Sequence, residues 1–178
     1  MRASTDVADS PIARPAAFDF DAVFFAHYPR ITRVIARIIV EPARAEELAV
    51  DAFWKLWRTP QAHGEAALGW LHRTAIRLAL DELRRRARRA RYERLLQLGP
   101  QPQTPADLFS ATEEQGRVRR VLAALPAQQA EMLLLRSDGF QYDELARALS
   151  INPASVGTLL SRAREAFRKE YVKRYGSH

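Results

Sequence analysis

Apolar residues recur every three to four positions along almost the whole chain, and no stretch alternates with period two, so the sequence predicts an all-α protein. Residues 18–40 put Phe20, Val23, Phe24, Ile31, Val34, Ile35 and Ile38 at helical spacings. Pro29 inside that segment lacks an amide donor and predicts a break or kink. Glu41-Pro42 opens a second helix reaching about Trp57, with Leu48, Ala52, Phe53 and Leu56 as its apolar stripe. Residues 58–66, RTPQAHGEA, read as a loop, and a third helical pattern spans Trp70 to Arg94.

Periodicity is lost over residues 96–112, LQLGPQPQTPADLFSAT, which hold three prolines. This reads as a linker between two small helical domains, residues 18–95 and 113–175, behind a flexible N-terminal tail of residues 1–17. Its composition predicts that the two domains move relative to one another. The second domain should contain helices over 113–125, 126–136 and 141–149, with a turn around Gly139. Asn152-Pro153 supplies an N-cap and a first-turn proline for a last helix ending near Tyr175. The last two helices, YDELARAL and PASVGTLLSRAREAFRKEY, form a helix-turn-helix pattern. Ala146 is small at the crossing, and Leu145, Leu149, Ile151, Val156 and Leu160 can fill the space between. An ordinary helical hairpin is the plainer reading of that pattern.

Charge adds a partner class. Between Trp70 and Arg94 nine arginines face three acids, a net of +6 in a chain whose total is +7. Cations held on one helix suit a polyanion, and nucleic acid is the leading candidate. Arg162, Arg164, Arg168 and Lys169 extend along the last helix toward phosphate contacts. With no cysteine, the chain has no disulfide, thiolate zinc site or cysteine nucleophile. No apolar run approaches the roughly 20 residues of a membrane span, and the N-terminus carries no secretory signal, so no membrane insertion and a cytoplasmic location are expected. His27, His63, His72 and His178 have no ligand spacing, which predicts neither metal nor cofactor. Asp81-Glu82 lies among arginines, so ion pairs explain it more simply than catalysis. No constellation supports an enzyme.

The segment VLAALPAQQAEMLLLRSDGFQYDELARALSINPASVGTLLSRAREAFR resembles the C-terminal DNA-binding domain of extracytoplasmic-function sigma factors. RAEELAVDAFWKLW is similar to that family's polymerase-binding helix, and GWLHRTAIRLALDELRRRARR to its promoter-melting helix. The likeness runs over residues 18–172 in the family's order. It implies a subunit that binds core RNA polymerase, brings it to promoter DNA carrying −35 and −10 elements, and helps open the duplex. An anti-sigma factor is also expected by resemblance. The polymerase-binding role falls on Glu46, Glu47, Leu48, Asp51, Phe53 and Trp57, although Leu48 and Phe53 read more naturally as core. Glu47, Asp51 and Lys55 could equally form surface pairs. The −10 role falls on Trp70, Arg73, Arg77, Arg84 and Arg85, with the 58–69 loop as the seat of a flipped base. The −35 role falls on Ser155, Gly157, Thr158, Ser161, Arg162 and Arg164 in the recognition helix.

Three departures from the family pattern stand out. Ile76-Arg77 occupies the place of a frequent Arg-Asn pair, putting the usual reading of a −10 base in doubt. Val156-Gly157-Thr158-Leu159-Leu160 stands where Val-Lys-Ser-Arg-Leu is common, so two cations are missing from the turn that enters the groove. That loss predicts weak or altered −35 recognition. Ser150 replaces a common turn glycine, with strain expected if its φ is positive. Two other readings stay open: a helix-turn-helix regulator that works without polymerase, and a sigma-like adaptor that reads no promoter.

Overall fold

The computed structural model describes residues 18–96 and 113–176. Among the described residues there are seven α-helices, two short 3₁₀ turns and no strand. The helices are α1 (Phe20–Ile38), α2 (Pro42–Trp57), α3 (Ala67–Leu96), α4 (Glu113–Ala124), α5 (Ala127–Ser137), α6 (Tyr142–Leu149) and α7 (Val156–Tyr175). The tail of residues 1–17 and nearly all of the linker lie outside the described residues.

Helices α1, α2 and α3 pack as a three-helix unit. Asp19 caps α1 by accepting the Ala22 amide at 2.9 Å. Ile31, Ile35 and Ile38 of α1 meet Leu48, Phe53 and Leu56 of α2 and Leu71, Ile76 and Leu80 of α3 in the core. Phe53 also anchors an aromatic cluster with Phe20, Phe24 and Tyr28. The break expected at Pro29 is not there: α1 runs through it. Pro29 and Phe25, one turn earlier, are both exposed, so the carbonyl left without a donor faces water while Ile31, Val34 and Ile35 hold the helix to the core.

In the second half Leu145, Ala146, Leu149, Val156 and Leu160 are buried, as a helix-turn-helix requires. Gln141 and Glu144 form a capping box at the start of α6. Asn152 accepts the Ala154 amide at 2.9 Å, and a 3₁₀ turn over Pro153–Ser155 leads into α7. Ser150 closes α6 at φ 54°, the one positive-φ residue other than glycine among the described residues.

The two halves do not stand apart. Helix α3 packs against α4, α5 and α6 as well as against α1 and α2, and one apolar core runs through both halves. In this arrangement α3 offers a second apolar and cationic face, which the C-terminal half covers.

Candidate polymerase and nucleic-acid interfaces

The outward face of α2 combines acids with large apolar groups. Glu46, Glu47 and Asp51 are exposed, and Val50, Trp54 and Trp57 are each about half exposed. The two indole rings lie 4.9 Å apart, with the Arg58 guanidinium 5.9 Å from the Trp54 ring. Glu47 pairs with Arg44 on the same helix. Leu48 and Phe53 are buried at 3% and 1% exposure, which removes them from any contact surface and assigns them to the core. Trp54 was missed from the sequence because it adjoins the core residue Phe53. Its signal was there: Val50, Trp54 and Trp57 follow one another at four and three residues, off the Leu48–Ala52–Leu56 stripe.

Beyond α2 the chain turns through the loop at 58–66. Thr59 Oγ1 donates to the Lys55 carbonyl at 2.7 Å, and His63 Nε2 lies 3.0 Å from the Leu56 carbonyl while its ring stacks on Phe18. Gly64 takes φ 90°, where a side chain would be strained. A cleft of about 600 Å³ opens beside this loop, between Gln61, Leu68 and Trp70 on one side and Phe140, Glu144 and Arg147 on the other. Trp70 is half-buried there.

The arginines of α3 divide into two groups. Arg73, Arg77 and Arg84 turn toward the C-terminal half. Arg73 Nε lies 3.1 Å and Arg77 Nε 2.7 Å from the two oxygens of Glu131, a carboxylate only 1% exposed. Arg73 also donates to the Ala148 carbonyl, and Arg84 to the carbonyls of Ala123 and Leu125. Arg85 pairs with Glu82 on its own helix. Arg88, Arg89 and Arg91 are exposed. Glu82, nearly buried, gathers Arg44, Arg85 and Arg86. Burial alone would raise its carboxyl, but hydrogen bonds from Arg86 and Arg44 outweigh that and hold it below the usual carboxylate range. Asp81-Glu82 is thus an ion-pair site, as its setting implied.

A second polar knot lies where α5 ends. Asp138 receives Arg37 at 2.6 Å and Arg30 at 3.3 Å, and His72 Nδ1 sits 3.0 Å from Oδ2 without the alignment of a hydrogen bond. The His72 ring is fully buried. Burial lowers its pKa to about 4, against the opposing pull of Asp138 and with help from the charge of Arg30.

On α7 Thr158, Ser161, Arg162 and Arg164 are exposed. Ser155 and Gly157 are half-buried, and a Cβ built at Gly157 would lie 3.7 Å from the Tyr142 ring. Three cations farther along are engaged within α7: Arg168 and Lys169 with Glu165, and Arg174 with Glu170. Among the described residues no group of three or more His, Cys, Asp or Glu side chains is placed to hold a metal, and no helix is long and apolar enough to cross a membrane.

The family models for sigma-70 region 2 and sigma-70 region 4 match residues 23–89 and 115–167. This chain belongs to the sigma-70 family. Its relatives place it in the extracytoplasmic-function branch. Over 179 residues it is 26% identical to the sigma factor SigE of Mycolicibacterium smegmatis, covering 97% of this chain and 69% of that protein. It is 29% identical over 176 residues to SigK of Mycolicibacterium vanbaalenii, covering 94% of this chain and 88% of that protein. It is also 31% identical over 154 residues to RfaY of Xanthomonas campestris, named as a probable RNA polymerase sigma factor; there it spans 82% of this chain but only 38% of the relative. In three dimensions it resembles the sigma factor RpoE of Bartonella quintana, solved with the anti-sigma factor NepR, at TM-score 0.51 and 19% identity over 86% of this chain and 97% of that one. In this sigma factor the region 2 match falls on α1 to α3 and the region 4 match on α4 to α7, so the C-terminal half packs upon the last helix of region 2.

Proposed function

We propose that this chain is a non-catalytic, cytoplasmic subunit that binds core RNA polymerase through the exposed face of α2 and directs it to promoters read by α3 and α7. The observation that carries the reading is the conjunction of three surfaces in the order the family requires. They are an acidic face with half-exposed tryptophans on α2, an arginine-rich α3, and an exposed recognition helix. Each has a chemical use. The acids and indoles of α2 suit a basic partner that also offers apolar contact. The arginines of α3 hold the backbone of a separated strand, and the loop before it provides room for an unstacked base. Thr158, Ser161 and Arg162 reach base edges or phosphates in a major groove.

The recognition turn contributes only hydroxyls and glycine where the family pattern it resembles often has cations, so −35 reading is weak or altered and leans on Ser155, Thr158, Ser161 and Arg162. An anti-sigma partner belongs to the same proposal, supported by the presence of one in the RpoE complex.

A pull-down of purified bacterial core polymerase tests the reading. Asp51→Arg combined with Trp54→Ala, both at exposed positions, should abolish capture by a chain that still melts cooperatively. Capture of core polymerase by neither form, with salt-sensitive binding to duplex DNA alone, would transfer the chain to the free-standing regulators.

A further inference from the structure

The cleft of about 600 Å³ beside the 58–66 loop draws its walls from both halves of the chain. Its volume falls in the range of small-molecule sites, which are commonest at domain interfaces. Leu68 and the half-buried Trp70 of α3 line one side, and the Phe140 ring lines the other. Gly139 beside that ring takes φ 96°, and a Cβ built there would meet nothing within 4 Å, so the gap is open at this point. Gly69 brings α3 and α6 together next to the cleft: a Cβ there would lie 3.5 Å from that of Ala148.

The charges around the cleft favour an anion. Arg30, Arg73 and Arg147 reach it from α1, α3 and α6, against Glu65 and Glu144. Glu144 is turned back on the Gln141 amide at 2.6 Å, where it serves the start of its own helix. Arg30 bonds Asp138 through Nη2, and Arg73 bonds Glu131 and Ala148 through Nε and Nη1, so each keeps donors for a further acceptor. Arg147 pairs with Asp143, but both side chains are 72% exposed, and such pairs contribute little. Aromatic side chains pack against flat rings, and guanidinium groups take carboxylates or sulfonates through paired N–H donors.

We infer that this cleft binds a small aromatic anion, its ring between Trp70 and Phe140 and its acid group on Arg147 and the spare donors of Arg30 and Arg73. Occupation requires both halves in place, because Trp70 and Arg73 belong to the first and Phe140 and Arg147 to the second. The ligand therefore stabilises this arrangement of the halves by mass action, which gives the chain a small-molecule input.

The probe is anilinonaphthalene sulfonate, which fluoresces on leaving water, titrated into the full-length chain. One molecule should bind per chain, and naphthoate should displace it whereas the neutral naphthamide should not. Arg147→Gln should weaken the probe about tenfold, the loss expected for a charge-assisted hydrogen bond. Ser137→Glu makes the same change of net charge at a separate apolar groove, lined by Val118, Leu133 and Phe167, and should leave binding unchanged. Both positions are exposed, so neither substitution disturbs the core. Naphthoate should also raise the melting temperature of the wild type and of Ser137→Glu, but not that of Arg147→Gln. That second readout needs no dye, so apolar surface exposed by loose packing does not imitate it. The cleft loses this role if naphthamide competes as well as naphthoate, if Arg147→Gln binds the probe like the wild type, or if Ser137→Glu is the variant that loses it. Absence of probe binding and of any naphthoate shift in the wild type would overturn it outright.

Discussion

Ser150 holds φ 54° with a Cβ that the left-handed region disfavours. Ser150→Gly should therefore stabilise the chain by about 1 kcal/mol, read as a higher denaturation midpoint with an unchanged slope. His72 gives the opposite kind of information, since its cost depends on pH. Its pKa is about 4 in the folded chain against an ordinary 6.5, so the unfolded chain binds the extra proton first. Stability is full above pH 6.5 and falls as pH drops toward 4, by about 3 kcal/mol over the window. His72→Leu should flatten that slope in pH-dependent melts, with Asp138, Arg30 and His27 remaining around the site. Both residues show where reading a sequence succeeds and where it stops. The serine was suspect because a glycine is common at that turn. The burial of His72 follows from Phe140 and Asp138, which arrive from more than sixty positions away in sequence.

At the scale of elements, periodicity located each helix because every one buries an apolar stripe. It also separated Leu48 and Phe53 from the acids that flank them. Phe53→Ala should cost about 3–5 kcal/mol of stability by emptying the aromatic cluster, whereas Trp54→Ala should leave the melting transition nearly unchanged. Loss of polymerase capture in the second variant alone separates interface from core. Pro29 was misjudged because a proline is tolerated in a helix whose open carbonyl faces solvent, and sequence pattern does not show which carbonyl does. On α7, Arg162→Ala should weaken binding to a cognate −35 duplex by about 1–3 kcal/mol, measured by anisotropy at fixed salt. Lys169→Ala, whose charge is already engaged by Glu165, should cost less than half of that.

For the whole molecule, the missing information was the docking of one half on the other. Composition revealed the arginines of α3 and a Pro-rich linker between the halves. It did not reveal that the ends of α4 and α6 and the Glu131 carboxylate point at those arginines, or that the end of α5 and Asp138 point at Arg30 and Arg37 of α1, because that depends on helix directions set by tertiary packing. Glu131 left only a faint mark in the sequence, a single acid one turn before the buried Leu135. The family models describe each half separately, so they too are silent on this contact.

The close approach of Gly69 to Ala148 bears on heredity as well as on shape. Here a change at Gly69 to anything much larger than alanine would act as a wedge between α3 and α6 and loosen the docking of one half on the other. Natural variation should therefore keep both Gly69 and Ala148 small, read as an absence of bulky side chains at these positions in sequences that share this packing.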